Sequence, residues 1–499
     1  MSEVKENNQK SSYRGIFKAT SIFGGVQVYQ ILIELIKSKV VALLLGPAGV
    51  GIQGLYTTGT QMIQQLSSFG LSSSAVRNVS EASANADTEK IKRVVSALRK
   101  LVWLTGFLGM FAVIALSPVL SKTSFGDTSH FWGFIALSVT LLFYQLTAGQ
   151  KVILQGTRQF KYLAKCTTYG VTLGLIICVP LYYLWGVEAI VPNLIVGSIT
   201  GYVLGLYFSR KVAIESVSLS IKETFQIGKS MLVMGLTMCI TQFFAYASTF
   251  IINSCIRSWG GVDEVGLYTA GALLMTQYTG LVFQAMGTDY YPRLSAVNKD
   301  NEKCKVMMNQ QGEVGLLLLG PLMTLCVIFI PIIIRILFTE TFEAINGYVI
   351  CCSIGVIFQM ASWAISYVFI AKADSKLFAI NEIVACIYGL ALNLIGYKLA
   401  GLTGMGVSFI VKYILYLTQV YIISHRRYSF TFDRAFIRLF ILELLFVISS
   451  VAIVGVFTSF CRYVVGALLS SIIVYISYRE LNRRMDLSEV IRARLSKNR

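Results

Sequence analysis

The sequence predicts an all-α polytopic membrane protein of about fourteen transmembrane helices: two six-helix lobes related by an internal parallel repeat, plus two extra C-terminal helices. Three observations lead there. Hydrophobic residues make up 55% of the 499, charged residues only 14%, and mean hydropathy is +0.67, against roughly 25% charged in an ordinary soluble domain. The chain also repeats itself: Gly54-Leu55-Tyr56-Thr57-Thr58-Gly59 returns 212 residues later as Gly266-Leu267-Tyr268-Thr269-Ala270-Gly271. Pro118 with Phe125-Gly126-Asp127-Thr128 returns at nearly that offset as Pro331 with Phe338-Thr339-Glu340-Thr341. In an apolar chain such self-similarity marks transporters built from two related halves around a central site. Finally, the basic residues gather in every second connection.

Crossing the hydrocarbon core takes about 20 apolar residues. Runs of that kind fall at approximately 16–45, 48–75, 95–117, 131–154, 162–185, 188–208, 227–255, 265–291, 312–337, 347–370, 377–398, 402–424, 436–457 and 462–478. A backbone in lipid must satisfy its own hydrogen bonds, and these runs lack the alternation of a barrel, so they are read as helices. The polar residues 1–14 precede a first run too long and too interrupted for a removable signal peptide, so that run is kept as a true span.

Lys and Arg concentrate on the cytoplasmic side of membrane proteins. Counted with the span ends that flank them, the two tails and the connections after the even-numbered spans hold 35 of the 43. The other connections, counted likewise, hold Lys122, Arg257, Arg335, Lys398 and Arg462; Lys37, Lys39 and Lys412 fall deeper inside spans. An even number of spans with both termini cytoplasmic follows. The division expected is a cytoplasmic tail 1–14, an N-lobe 15–210 (spans 1 to 6), a cytoplasmic linker 211–226, a C-lobe 227–425 (spans 7 to 12), spans 13 and 14 within 426–478, and a basic cytoplasmic tail 479–499. Six is even, so the repeats share an orientation. Reporter fusions at Lys222, Lys303 and Arg483 are expected to read cytoplasmic, and those at Ser121 and Asp263 external; a cytoplasmic signal at Asp263 overturns the two-repeat scheme.

The net charge of +18 is absorbed by this topology, and no basic patch with interleaved aromatics points to nucleic acid. Ten cysteines show no metal or redox spacing and read as buried small apolar side chains. The two histidines, His130 and His425, sit in no motif, so a histidine-based catalytic centre has little to work with, and no cofactor is expected. The longest external connection, about 118–130, is too short to fold as a separate domain. A membrane polymerase or ligase would need a large external catalytic loop, and an acyltransferase a lumenal histidine.

Ionisable groups at membrane depth mark a pathway or site by default. In span 1, Gln27, Gln30, Glu34 and Lys37 fall within about 80° of one another at about 100° per residue; Lys39 lies on another face. Span 2 carries Gln61, Gln65, Ser68 and Ser72 at i, i+4, i+7, i+11, and span 7 carries Gln242, Tyr246, Thr249 and Asn253 at the same spacing. Span 8 offers Gln277, Gln284 and Thr288, with Asp289 and Arg293 at its cytoplasmic end, and spans 11 and 12 add Glu382, Lys412, Tyr416 and Gln419. The plainer reading of any one stripe is interhelical hydrogen bonding, and Glu382 with Lys412 reads equally as mutual neutralisation. Four stripes on spans that are equivalent in the repeat favour a shared water-filled lumen. The substrate-binding candidates are therefore Gln30, Glu34, Lys37, Gln61, Gln65, Gln242, Tyr246, Asn253, Gln277, Gln284, Arg293 and Lys412, with Glu34, Asp289 and Glu382 as coupling candidates. Glu443 lies outside the repeats and receives no role.

At Gly46-Pro47-Ala48-Gly49-Val50-Gly51, between spans 1 and 2, the sequence resembles the polysaccharide-export branch of the multidrug/oligosaccharidyl-lipid/polysaccharide (MOP) exporter superfamily. That turn, the long first span, and Phe69-Gly70-Leu71 through Ala75-Val76-Arg77 are most similar to the O-antigen flippases called Wzx and to the enterobacterial lipid III flippase. The resemblance is closest over residues 15 to 100. It implies a flippase carrying undecaprenyl-pyrophosphate-linked oligosaccharide, an O-antigen or related repeat unit, from the inner to the outer leaflet of the bacterial inner membrane by alternating access. It further implies coupling to H⁺ or Na⁺, and a polysaccharide polymerase and chain-length regulator as partners. Lys37 matches a basic position of related lipid II flippases, although Glu34 beside it departs from a purely cationic site, and spans 13 and 14 exceed the twelve of many members. The alternatives are a drug or cation exporter of the same fold, expected to prefer an acidic, aromatic lumen, and a membrane enzyme of polysaccharide assembly.

Overall fold

A computed structural model describes residues 2–84, 88–457 and 459–485, and among them no strand occurs. The helices are α1 (Ser2–Ser67), α2 (Leu71–Ala84), α3 (Thr88–Phe125), α4 (Phe131–Gly156), α5 (Phe160–Trp185), α6 (Ile190–Arg210), α7 (Ile221–Gly260), α8 (Val262–Ala296), α9 (Asn301–Leu337), α10 (Asn346–Ala371), α11 (Ser375–Tyr428), α12 (Arg434–Val456) and α13 (Ser459–Met485). The expected basic tail beyond Met485 lies outside the described residues.

Two helices are bent pairs. In α1 the break is Gly46, with φ 63°: the following Pro47 disfavours a helical residue before it, and a residue without Cβ accepts the left-handed region. In α11 the break is Ala400-Gly401, with Gly401 at φ 55°. Spans 1 and 2, and spans 11 and 12, are therefore joined by kinks. Span 2 is shorter than expected. Its helix stops at Ser67, because Phe69 (φ 47°) and Gly70 (φ 62°) turn the chain into α2. Ser72 thus leaves the helical phase of Gln61 and Gln65.

Nine stretches among the described residues are long and apolar enough to cross a membrane, and two of them, Phe160–Arg210 and Ser375–Tyr428, each contain two helical legs. The chain is thus a multi-pass membrane protein. The helices α1 and α8 are not among the nine; both carry polar stripes in the sequence, as does α7, whose stretch Cys239–Gly260 is one of the nine.

The chain forms two compact units, Met1–Gly266 and Leu267–Arg499. In the first, α7 packs on α1, α2 and α3, although the linker 211–226 was the expected boundary. The core there joins Leu71, Ala75 and Val79 of α2, Val95 and Leu98 of α3, Leu142 and Leu146 of α4, and Met231 of α7. The linker itself is strapped to the start of α3: Lys92 pairs with Glu215 (2.7 Å), Arg99 donates to Ser216 Oγ (2.6 Å), Ser96 Oγ accepts from the Val217 amide (2.9 Å), and Arg93 pairs with Glu223 (3.2 Å). Ser220 and Glu223 then form the capping box that starts α7. The hydrogen bond from Lys92 holds the Glu215 carboxyl below the usual carboxylate range, so this contact stays charged through that range and loosens only as pH falls below it.

The repeat has a structural cause that each unit shows separately. In the first, the Tyr56 ring packs on Phe125 and Phe134 (centroids 4.9 and 5.0 Å), and a Cβ on Gly59 would stand 3.2 Å from Phe134. In the second, Tyr268 packs on Tyr348 (5.7 Å), and a Cβ on Gly271 would stand 2.8 Å from that ring. Each Gly-Leu-Tyr-x-x-Gly lets one helix lie close to an aromatic side chain of another.

In the second unit α12 packs on α9, α10 and α13, and α13 on α9. One face of α12, with Phe436, Leu439, Glu443 and Val447, is buried; the other, with Ile437, Ile441, Leu445 and Ile448, is exposed and largely apolar, with Arg438 and Ser449 beside it. Glu443 lies against Gly320 of α9 and accepts a hydrogen bond from Ser477 of α13 (3.1 Å). Cysteines at positions 441, 445 and 448 are expected to resist a bulky water-soluble thiol reagent applied from either side; extensive labelling there shows that α12 lines an aqueous path.

Candidate functional site: a polar cavity in the first unit

A cavity of about 340 Å³ is lined by Thr57, Thr60, Gln61, Gln64 and Gln65 of α1, Leu137, Thr140 and Tyr144 of α4, Leu194 of α6 and Tyr246 of α7. Helical phase assembles it. Residues 57, 60, 61, 64 and 65 form one stripe on α1, and 137, 140 and 144 one stripe on α4. The helices are pinned around it by polar contacts: Asn193 donates to Tyr182 OH (2.9 Å), Tyr182 OH to Gln53 Oε1 (3.4 Å), and Gln145 to Thr105 Oγ1 (2.9 Å).

Among the described residues the lining contains no charged side chain. Thr57, Thr60 and Thr140 spend their hydroxyl protons on carbonyls of their own helices, those of Gln53 (2.8 Å), Tyr56 (2.9 Å) and Leu137 (2.6 Å). The amide of Gln65 reaches Cys239 Sγ at 3.7 Å. The space can therefore hydrate or bind a neutral polar molecule.

Of the residues singled out in the sequence, Gln61, Gln65 and Tyr246 meet in this cavity. Asn253, 2% exposed, is instead tied to Thr58 Oγ1 (3.4 Å), and Gln242, one turn from Tyr246, is exposed. Gln30, Glu34 and Lys37 are half-buried on the first leg of α1, and Glu34 and Lys37 form no ion pair with each other among the described residues. The sequence reading passed over Thr57, Thr60, Gln64, Thr140 and Tyr144. The pairs Thr57–Gln64 and Thr140–Tyr144, at i+7 and i+4, were the available signal.

The remaining candidates belong to the second unit. Gln277 is half-buried and Gln284 exposed, while the side chain of Thr288 lies outside the described residues. Asp289 and Arg293 pair with each other at 2.9 Å on the surface, an arrangement worth little energetically that leaves neither charge free. Glu382 accepts a hydrogen bond from Tyr416 OH, to which Asn381 also donates (3.3 Å), and Gln419 donates to Asn381. Lys412 sits over the Tyr413 ring, 5.3 Å from its centroid. Glu382 and Lys412 form no ion pair with each other among the described residues, and each has another partner. Among the described residues no three His, Cys, Asp or Glu gather as a metal site.

Comparison with known proteins follows from this geometry. The family described as "Polysaccharide biosynthesis protein" matches residues 40–347. No curated protein is detectably similar in sequence. Among solved structures, the lipid II flippase MurJ in an inward closed conformation is similar with a TM-score of 0.71 at 13% identity, over 94% of this chain and 99% of that one. An inward-facing multidrug resistance MATE family transporter of the MOP superfamily is similar with a TM-score of 0.65 at 14% identity, over 81% and 98%. A MOP superfamily transporter from Pyrococcus furiosus, described as having a binding pocket of reverse polarity, gives 0.59 at 13%, over 83% and 96%. The match over more than half of the sequence and the fold shared end to end place the chain in the polysaccharide biosynthesis protein family, with the fold of the MOP superfamily.

Proposed function

We propose that this protein is a flippase that moves an undecaprenyl-pyrophosphate-linked oligosaccharide, an O-antigen or related surface polysaccharide repeat unit, from the inner to the outer leaflet of the bacterial inner membrane by alternating access. The observation that carries the reading is the polar cavity of the first unit, set within helices of a chain from a polysaccharide biosynthesis family. Sugars and pyrophosphate need a polar path across hydrocarbon, whereas a polyprenyl tail can stay in lipid. Among the described residues the lining holds no carboxylate, whereas a drug or cation exporter of this fold is expected to prefer an acidic, aromatic lumen.

The stripe of Gln30, Glu34 and Lys37 serves the pyrophosphate, with Lys37 as its cation. Glu34 and Glu382 are the coupling groups for H⁺ or Na⁺; Asp289, occupied by Arg293, is the weaker member of that set. The basic connections face the cytoplasm, as do both termini, and a polysaccharide polymerase and chain-length regulator act next. The test is a deletion strain: undecaprenyl-linked units are expected to accumulate on the inner leaflet, with recovery on complementation. Normal export and no accumulation in that strain overturn the reading.

A further inference from the structure

The cavity of the first unit has a chemistry more specific than polarity, and it bears on what is carried. Four side chains that line it, the amides of Gln61 and Gln64 and the hydroxyls of Tyr144 and Tyr246, make no hydrogen bond to the protein among the described residues. In hydrocarbon such groups are costly unless something satisfies them. Each amide offers two donors and an acceptor, and each phenol a donor and an acceptor. The three threonines, their protons committed to their own helices, still offer acceptor lone pairs. The set matches a molecule whose every polar group both donates and accepts, as a sugar hydroxyl does. Tyr144 and Tyr246 add flat apolar faces, which suit the C–H face of a pyranose ring.

The same lining excludes charge. Among its described residues it has no Lys, Arg or His to compensate an anion and no Asp or Glu to compensate a cation, and an ion taken out of water without a partner is strongly disfavoured. The volume of about 340 Å³ stands at the low end of the roughly 300–1,000 Å³ of ligand pockets. It admits one or two sugar rings on the order of size, and not a whole oligosaccharide.

We propose that this cavity is a sugar subsite selective for an uncharged pyranose, separate from the cation that meets the pyrophosphate. This rests on the flippase reading of the same protein. Glycans whose seated residue is a hexuronate or carries phosphate are rejected there, whereas hexoses and N-acetylhexosamines are accepted.

The test uses the full-length protein in lipid nanodiscs and three probes: undecaprenyl pyrophosphate, the same lipid bearing one N-acetylglucosamine, and the same lipid bearing one glucuronate. The readout is the ratio of affinity for each sugar-bearing probe to that for the bare lipid. For the unaltered protein the N-acetylglucosamine ratio is expected to be about ten, the worth of one or two net hydrogen bonds, and the glucuronate ratio one or less. In Gln61→Ala with Gln64→Ala the first ratio falls to about one. Tyr144→Phe, which removes a single oxygen, lowers it part of the way and guards against a variant that fails to fold, as does a monodisperse gel-filtration peak for each protein. A glucuronate ratio equal to that of N-acetylglucosamine, or a ratio unchanged in the double variant, overturns the sugar subsite while leaving the flippase standing. Failure of the unaltered protein to bind any of the three overturns both.

Discussion

Lys37→Ala is expected to reduce export of the surface polysaccharide to background in a complemented deletion strain, with protein levels near normal. Lys37 lies eight residues before the Gly46 break ends the first leg of α1, roughly 12 Å at about 1.5 Å per residue, too deep to reach headgroups comfortably. It shares a face with Gln30 and Glu34, is half-buried, and forms no ion pair with Glu34 among the described residues. A lysine held so is a compact charge available to a pyrophosphate. Removing one member of a desolvated charge pair costs about 2–5 kcal/mol, a loss of roughly thirtyfold or more in binding. Lys37→Arg keeps the charge but changes its shape and is expected to retain part of the export. Lys39→Ala, on another face of the helix, is expected to be milder. Normal export from Lys37→Ala together with loss from Lys39→Ala reverses the assignment and puts the polar path on the opposite side of span 1.

The largest structural effect is expected at Gly235. A Cβ there would stand 2.0 Å from the Phe69 carbonyl oxygen and 2.9 Å from Ser74 Oγ; reciprocally, a Cβ on Gly70, itself at φ 62°, would stand 2.4 Å from the Gly235 carbonyl oxygen. Backbone meets backbone on both sides, so no side chain can swing away. Gly235→Leu must push α7 off the turn between α1 and α2, and with it Met231 out of the core that α2, α3 and α4 form. Overpacking typically costs about 1–3 kcal/mol, and a backbone-to-backbone contact that cannot yield belongs at or beyond the upper end of that range. Less than about a tenth of the variant is then expected to run as a monodisperse peak in fluorescence-detected gel filtration. Gly455→Leu on α12, where nothing lies within 4 Å of the added carbon, is the matched control and is expected to behave as the unaltered protein. A monodisperse Gly235→Leu shows that the close approach of α7 is dispensable.

Much of this architecture is written in short-range chemistry. The Gly46-Pro47 kink follows from the steric rules of two adjacent residues, the apolar legs from the need of a backbone in lipid to bond to itself, and the stripes on spans 2 and 7 from a period of about 3.6 residues. Even the repeat was visible in Gly54-Leu55-Tyr56 and Gly266-Leu267-Tyr268, because close helix approach places a glycine beside an aromatic ring in both units, Gly59 by Phe134 and Gly271 by Tyr348. The helical stop at Phe69-Gly70 was not visible, since nothing local forbids continuing; contact with Gly235, 165 positions away in the chain, accompanies that turn.

The site divides in the same way. The sequence by itself determined an all-helical membrane protein and which residues of α1 and α7 share a polar face, because those depend only on spacing along one helix. Tertiary structure alone decided that Gln61, Gln65 and Tyr246 meet Thr140 and Tyr144 of α4 around a space without charge, that Asp289 is held by Arg293, and that Glu382 turns to Tyr416 while Lys412 turns to Tyr413. A helix's period fixes the direction of each side chain about its own axis; which neighbour stands in that direction is set by how the helices pack against one another.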